Sequence, residues 1–213
     1  MKMHVAELWR YPVKSLAGET LSVVEMSADG IPGDRVVQVY DAEGRIVTAR
    51  TASRLLGLKA ALGPTGEPLV NGRPWRAPDV AAAIEAAAGV GARLVRNDGP
   101  DRFDVLPLLV ATDGAVNALG LDRRRFRPNI LVAGVTGLAE REWPGRRARI
   151  GEAIIEFKKL RGRCVMTTYD PDTLEHDPTV LRRIGREMGG RLALDSYVVR
   201  GGRIALGDPV ELL

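Results

Sequence analysis

Most of this chain consists of short strand-like segments separated by tight turns, a pattern that few fold classes accommodate. In the first half, residues 36–40 and 46–49 are strand-like, and the polar segment 41–45 between them predicts a hairpin. Asn71-Gly72 predicts another tight turn. One helix is expected from an Asp79 cap to about Ala88.

The second half mixes both element types. We expect strands at 107–111, 130–133, 153–160, 193–199 and 209–213, and helices after Asp113 and from Asp177-Pro178 to Met188. Many short, non-alternating elements favour an α+β fold built on a β-barrel or a strongly bent sheet over a doubly wound sheet. The turn-rich segment 97–101 is the best candidate boundary and divides the chain into residues 1–97 and 98–213.

The composition is typical of a globular protein, with 45% apolar and 27% charged residues. One cysteine and two histidines exclude an internal disulfide, a zinc ligand set and an iron–sulfur cluster, so redox chemistry would need a bound cofactor. The N-terminus lacks the continuous apolar core of a signal peptide, and the alanine-rich run 80–88 is interrupted by Glu85. We therefore expect a cytoplasmic protein without membrane association.

Basic residues cluster at several places, although the formal net charge is only +4. Clusters at 123–125, 146–149 and 158–163 first suggest nucleic acid as a partner. Against this, only 5% of the residues are aromatic, and apolar strand patterns separate the clusters. No nucleic-acid partner is expected, and a smaller anion bound by a few arginines fits better.

Cys164 is the single cysteine and follows the basic stretch 158–163. Nearby positive charge favours the thiolate, which attacks electrophiles and binds soft metals. An unpaired cysteine is also often a small buried apolar residue. The thiol alone leaves both interpretations open.

Three other segments carry polar groups at strand ends. Lys14 and Ser15 follow a strand and could both donate to an anion, or Lys14 could be an exposed side chain. Arg35 could bind phosphate with its planar fork or form a structural pair with a carboxylate such as Asp34. Because Arg127 precedes a proline, an extended backbone is expected there. Arg127 and Asn129 should then project to one side, and Phe126 and Ile130 to the other.

Six motifs span residues 11 to 210 of the chain. They are Tyr11-Pro12-Val13-Lys14-Ser15, Gly33-Asp34-Arg35, Val47-Thr48-Ala49-Arg50, Phe126-Arg127-Pro128-Asn129-Ile130, Arg163-Cys164 with Thr167-Thr168 and Asp170-Pro171-Asp172-Thr173, and Gly207-Asp208-Pro209-Val210. Each motif is weak alone, but together and in this order they resemble those of the MOSC-domain proteins, in particular the mitochondrial amidoxime-reducing component and its bacterial relatives.

The resemblance implies an α+β fold with a β-barrel-type MOSC domain at 98–213 and a shortened N-terminal β-rich region at 1–97. It also implies a molybdenum cofactor held between the two, and pyridoxal phosphate is not expected. Cys164 falls on the position of the molybdenum ligand and is the candidate catalytic residue. The candidate cofactor-binding residues are Lys14, Ser15, Arg35, Thr112, Arg127, Asn129 and Arg163.

The implied function is reduction of N-hydroxylated compounds, namely hydroxylamines, amidoximes and hydroxylated bases, with electrons from a separate donor protein. A competing interpretation is a non-catalytic carrier that holds molybdenum cofactor, or sulfur as a persulfide on Cys164, for delivery elsewhere. Metal analysis identifies a carrier of sulfur alone, because such a protein should contain no molybdenum.

Overall fold

The computed structural model describes residues 2–213, which form an α+β protein, as predicted. The strands are β1 His4–Arg10, β2 Glu19–Leu21, β3 Val23–Met26, β4 Val37–Tyr40, β5 Ile46–Val47, β6 Ala60–Leu62, β7 Pro68–Val70, β8 Arg73–Pro74, β9 Arg93–Arg96, β10 Leu108–Thr112, β11 Ile130–Ala133, β12 Arg147–Ile150, β13 Ala153–Gly162, β14 Arg191–Arg200, β15 Gly202–Ala205 and β16 Val210–Leu212. The α-helices are α1 Pro78–Ala88, α2 Asp113–Leu119 and α3 Thr179–Met188. Short 3₁₀ turns cover Ser53–Gly57, Pro100–Arg102, Arg123–Phe126, Ala139–Glu142 and Val165–Thr168.

The largest sheet has eight strands in the order β16-β12-β13-β14-β10-β11-β1-β2. Its neighbours pair antiparallel, except that β10 and β11 are parallel. Strand β1 from the start of the chain pairs with β11, and β3 pairs with β15. Strand pairing therefore crosses the boundary that we place between residues 97 and 98, and that division remains a prediction.

The rest of the first half forms two smaller sheets, β5-β4-β9 and β6-β7-β8, which share a core with α1. Val37, Leu55 and Ile84 are fully buried in that core. A second core packs against the large sheet and includes residues of β3 and β15. A third core packs α2 and α3 against the large sheet. The alternation of buried and exposed residues along β3 and β12 is the pattern of strands with one face in a core.

Helix α1 and strand β15 differ from the sequence-based expectations. Helix α1 begins at Pro78 after an Ala77 cap, and Asp79 lies in its first turn instead of capping it. Proline at the first helical position has a fixed φ that suits a helix start, which explains the earlier beginning. Strand β15 was not predicted, because it directly follows the glycine turn at 201–202. It forms by antiparallel pairing with β3.

Candidate functional site

One cavity of about 100 Å³ brings together most of the side chains that the sequence nominates. Its wall includes seven of the eight candidates, which come from both halves of the chain: Lys14, Ser15, Arg35, Arg127, Asn129, Arg163 and Cys164. The eighth, Thr112, lies elsewhere.

Two neighbouring backbone segments carry Lys14 and Arg35. The N–H of Lys14 donates to the carbonyl of Val37 at 2.8 Å, and the N–H of Arg35 donates to the carbonyl of Tyr11 at 2.8 Å. The segments 11–14 and 35–37 therefore run side by side. This pairing places Lys14 and Arg35 on one wall, although twenty residues of intervening chain leave no sign of it in the sequence.

A buried carboxylate holds the residues of this wall in place. Asp34 is fully buried, and its Oδ1 accepts a hydrogen bond from the N–H of Tyr11 at 2.7 Å. Its Oδ2 pairs with Arg35 and accepts from Nδ2 of Asn129 at 3.2 Å. Oδ1 of Asn129 accepts from the N–H of Leu109 at 3.1 Å, which ties the network to β10. Arg35 thus has a structural partner and also lines the cavity.

The expectation of an extended backbone at Arg127 was wrong. Arg127 has φ 54° and ψ 49°, in the left-handed region, and ends the 3₁₀ turn Arg123–Phe126. Its N–H donates to the carbonyl of Arg124 at 3.2 Å, and its guanidinium carbon lies 4.3 Å from the ring centroid of Tyr11. The turn geometry and this cation–π contact outweigh the usual preference of a residue before proline.

Backbone strain concentrates at this cavity. Six non-glycine residues have positive φ within residues 2–213, and three of them, Ser15, Arg35 and Arg127, line the cavity. Such conformations cost on the order of 1 kcal/mol each and are common at functional sites. The hydroxyl of Ser15 accepts a hydrogen bond from the N–H of Ala49 at 3.0 Å, which leaves its own hydrogen free to be donated to a ligand.

Cys164 has an extended backbone and lies between β13 and the 3₁₀ turn Val165–Thr168. Its carbonyl accepts hydrogen bonds from the N–H and the hydroxyl of Thr167 at 3.0 and 2.8 Å, and the hydroxyl of Thr168 donates to the carbonyl of Val165 at 2.6 Å. The two threonines therefore fix the turn that presents the thiol. The thiol residue is half-buried and faces the cavity, so Cys164 is not a core filler.

Positive charge dominates the cavity wall, which carries seven basic side chains and one carboxylate, Asp104. The basic residues are Lys14, Arg35, Arg50, Arg125, Arg127, Arg161 and Arg163. Five of them have carboxylate partners in Asp34, Asp104, Asp170 or Asp195. Among the described residues, Arg127 and Arg163 have none. The cavity therefore suits an anionic ligand.

The two arginines without carboxylate partners are held at an energetic cost. Burial, with a smaller contribution from the charge of Arg35, lowers the pKa of Arg127 to about 10. Burial likewise lowers the pKa of Arg163 to about 10, with a further contribution from Arg161. Nη2 of Arg163 donates to the carbonyl of Phe126 at 2.9 Å, but its buried Nε has no partner within residues 2–213. A bound anion would relieve both costs.

Asp104 bridges two basic residues of the cavity wall. Its carboxylate lies 3.0 Å from Nζ of Lys14 and 3.1 Å from a terminal nitrogen of Arg50. Burial raises the pKa of Asp104, but the charges of Lys14 and Arg50 outweigh burial and lower it overall. Burial lowers the pKa of Arg50, while Asp104 and the sulfur of Cys164 raise it more. Arg50 therefore stands beside the thiol.

Four charged residues of the cavity wall were not predicted from the sequence: Arg50, Arg125, Arg161 and Asp104. Arg50 lies in the quoted segment 47–50 and could have been nominated from that motif. Arg161 belongs to the basic stretch before Cys164, and Arg125 to the cluster before Phe126. Asp104 lies in a loop where no local pattern marks it.

Thr112 does not line the cavity, and its hydroxyl has partners elsewhere. It caps α2 by accepting from the N–H of Ala115 at 3.2 Å, and it donates to Glu140 at 2.7 Å. Thr112 is fully buried. It therefore has a structural task here and is not among the residues that the cavity brings together.

Residues 2–213 contain no cluster of three or more His, Cys, Asp or Glu side chains able to hold a metal ion by themselves. Within the same range, no helix combines the length and apolarity needed to cross a bilayer.

Comparison with known proteins agrees with this architecture. The chain matches the MOSC N-terminal beta barrel domain over residues 2–102 and the MOSC domain over residues 110–211. It is 30% identical to mitochondrial amidoxime-reducing component 1 of Mus musculus, with 98% of this chain and 82% of that protein covered, and 27% identical to the Homo sapiens protein with the same coverage. The YUAD protein of Bacillus subtilis has the same fold, with a TM-score of 0.55, 15% identity, and 100% of this chain and 96% of that chain covered. With both domains matched and 30% identity over nearly its whole length, the chain belongs to the family of MOSC-domain proteins that includes the mitochondrial amidoxime-reducing components.

Proposed function

We propose that this protein is a molybdenum-cofactor-dependent reductase of N-hydroxylated compounds such as hydroxylamines, amidoximes and hydroxylated bases. The observation that carries the proposal is the convergence of a half-buried thiol, Cys164, and seven basic side chains on one cavity. A thiolate is a soft ligand suited to such a metal, and arginines suit a phosphate. The name of the relatives, amidoxime-reducing component, supports the substrate class.

The residues of the cavity fit this cofactor. The buried Nε of Arg163 has no partner among the described residues, and Arg127 has no carboxylate there, so an anionic group would meet two uncompensated cations. A single protein thiolate suits a metal that arrives already ligated by its own cofactor. The proposal assigns the metal to Cys164, and the pterin and its phosphate to Lys14, Ser15, Arg35, Arg127, Asn129 and Arg163.

When bound, the molybdenum cofactor supplies two-electron reduction of the N–O bond, with the oxygen leaving as water. The protein contributes the anchoring thiolate and the charges that neutralise and orient the cofactor. Asp104 holds Lys14 and Arg50 at the wall, and the Thr167 hydrogen bonds hold the Cys164 turn. The proposal leaves electron supply to a separate donor protein, which agrees with the word component in the relatives' name.

The test begins with elemental analysis of purified protein and fluorescence of the pterin released by mild oxidation. We expect molybdenum and pterin in the wild type and a loss of at least about tenfold in molybdenum content for Cys164→Ala, because outer ligand partners alone change metal affinity by 10–100-fold. Reduction of benzamidoxime and of hydroxylamine with a reduced viologen dye should fall in parallel. Arg182→Met, which removes an exposed cation outside the cavity, is the matched control.

Two results would contradict the proposal. Full activity in Cys164→Ala would remove the thiol from the metal site. Protein without molybdenum that releases sulfide from Cys164 on treatment with a reductant would instead support the competing function, a sulfur carrier.

A further inference from the structure

A second cavity of about 410 Å³ lies beside the first, and most of its wall has no part in the proposed cofactor site. The two cavities share only Arg125, Arg127 and Met166 in their walls. The remaining wall of the second cavity consists of Trp9, Tyr11, Ala17, Gly18, Glu19, Thr20, Leu56, Lys59, Arg124, Tyr169, Pro171 and Asp172. Its volume is large enough for a small organic molecule of two fused rings.

Flat aromatic surfaces form much of this wall. The rings of Trp9 and Tyr11 are stacked, with centroids 6.3 Å apart and planes 14° from parallel. Tyr169 contributes a third ring, which is itself held by stacking against His176 at 4.8 Å. The Tyr11 ring is itself buried beneath the guanidinium of Arg127, so the rigid planar faces left to a ligand are those of Trp9 and Tyr169, which favour a planar aromatic ligand over a saturated one.

The charges of the second cavity are unbalanced. Each of its two carboxylates is already paired: Glu19 accepts from Arg10 at 2.8 Å, and both oxygens of Asp172 accept from Arg124 at 2.6 and 2.8 Å. Lys59 is exposed and has no carboxylate partner within residues 2–213.

Arg127, at the border of the two cavities, also lacks a carboxylate partner among the described residues. Because the proposed cofactor would compensate Arg127, Lys59 is the cation that the second cavity leaves without a counter-charge. A ligand with a negative group would be favoured over a neutral or cationic one.

We propose that this second cavity is a binding site for a planar aromatic molecule that carries a carboxylate, with the ring against Trp9 and Tyr169 and the carboxylate toward Lys59. The site is separate from the cofactor cavity. It needs neither a metal nor turnover, so it goes beyond the proposed function and can fail or succeed independently of it.

The test uses the full chain and isothermal titration calorimetry with three probes of one shape. They are 2-naphthoate, the cation 2-naphthylmethylammonium, and the saturated acid decahydro-2-naphthoate. We expect 2-naphthoate to bind about threefold to tenfold more tightly than the saturated acid, which loses the ring contacts, and about threefold to fivefold more tightly than the cation, which loses the ion pair with Lys59. Equal affinity for the aromatic and the saturated acid would overturn the proposal.

Variants locate the ligand. Lys59→Met removes an exposed charge and keeps most of the side chain, so the protein should fold normally, and we expect 2-naphthoate affinity to fall roughly threefold to fivefold. Tyr169→Leu should lower it about tenfold, with circular dichroism as the check on folding. The matched control is Lys14→Met in the first cavity, which should change affinity less than twofold. Loss of binding in Lys14→Met with no change in Lys59→Met would place the anion in the first cavity and refute the inference.

Discussion

Arg127 is expected to lower the stability of the ligand-free protein while it binds the ligand. Its guanidinium stands over the ring of Tyr11 at 4.3 Å, lines both cavities, and has no carboxylate partner among residues 2–213. We therefore predict that Arg127→Met makes the ligand-free protein more stable and removes most of the stabilisation that phosphate gives.

The magnitude follows from the pKa of Arg127, which burial lowers to about 10. Since one pH unit corresponds to about 1.4 kcal/mol, the charged form costs about 3 kcal/mol at most, and exposure to the cavity reduces this to about 1–2 kcal/mol. The variant also loses the favourable cation–π contact with Tyr11, which reduces the gain by about 0.5–1 kcal/mol. The net gain in the free energy of unfolding is about 1 kcal/mol, or about 2–4 °C in Tm for a protein of this size.

The sign of the effect is fixed by where the pKa moves. The pKa of Arg127 is lower in the folded than in the unfolded state, so the cost is fully present at every pH below about 10. It disappears only as the pH rises through that value. The prediction therefore applies throughout the neutral range.

Differential scanning calorimetry at pH 7.5, with and without inorganic phosphate, measures both effects. In phosphate-free buffer we expect a higher Tm for Arg127→Met than for wild type, and a smaller Tm increase when phosphate is added. Arg182→Met, an exposed residue without an ion pair in the described chain, should behave like wild type. A Tm for ligand-free Arg127→Met that is lower by about 2 °C or more would show that the arginine stabilises the empty protein and would refute the reasoning.

Two further predictions concern the scaffold. Burial raises the pKa of Glu140 despite the hydrogen bond from Thr112, so the free energy of unfolding should decrease as pH rises through that raised pKa. Urea unfolding between pH 4 and 8 should show a weaker decrease for Glu140→Gln, and equal slopes would contradict the assignment. Gly18→Ala should cost about 1–3 kcal/mol, because its Cβ would stand 2.5 Å from a ring carbon of Tyr11. Gly185→Ala, in α3 with open space around it, should instead stabilise by about 0.5–1 kcal/mol, and thermal unfolding of the pair checks the contrast.

Much of the candidate site could be predicted because its residues lie in recognisable motifs. Lys14, Arg35 and Cys164 each stand at a strand end, where the pattern of apolar residues stops and polar groups become available. Arg50 was within reach of the same reasoning. Asp104 was not, since it acts through Lys14 and Arg50, which are distant in the chain and meet it only in the folded protein.

Local rules failed where tertiary contacts outweigh them. Arg127 adopts a left-handed backbone before Pro128, which the preference of residues before proline disfavours, because the preceding 3₁₀ turn and the ring of Tyr11 hold it there. Thr112 appeared as a cofactor contact only by resemblance, and the structure uses its hydroxyl to cap α2 and bind Glu140. In both cases the deciding partner is remote in sequence or belongs to another element.

The sequence by itself determined the α+β class, the short strands and turns, and the types of residue available for chemistry, because these depend on local apolar patterns, turn residues and composition. Only the tertiary structure decided that a thiol and seven cations share one cavity, that two of these cations lack carboxylates within the described chain, and that a second, aromatic cavity adjoins the first. The physical reason is that charge compensation and cavity shape depend on pairing between distant strands, such as β1 with β11, which no local pattern encodes.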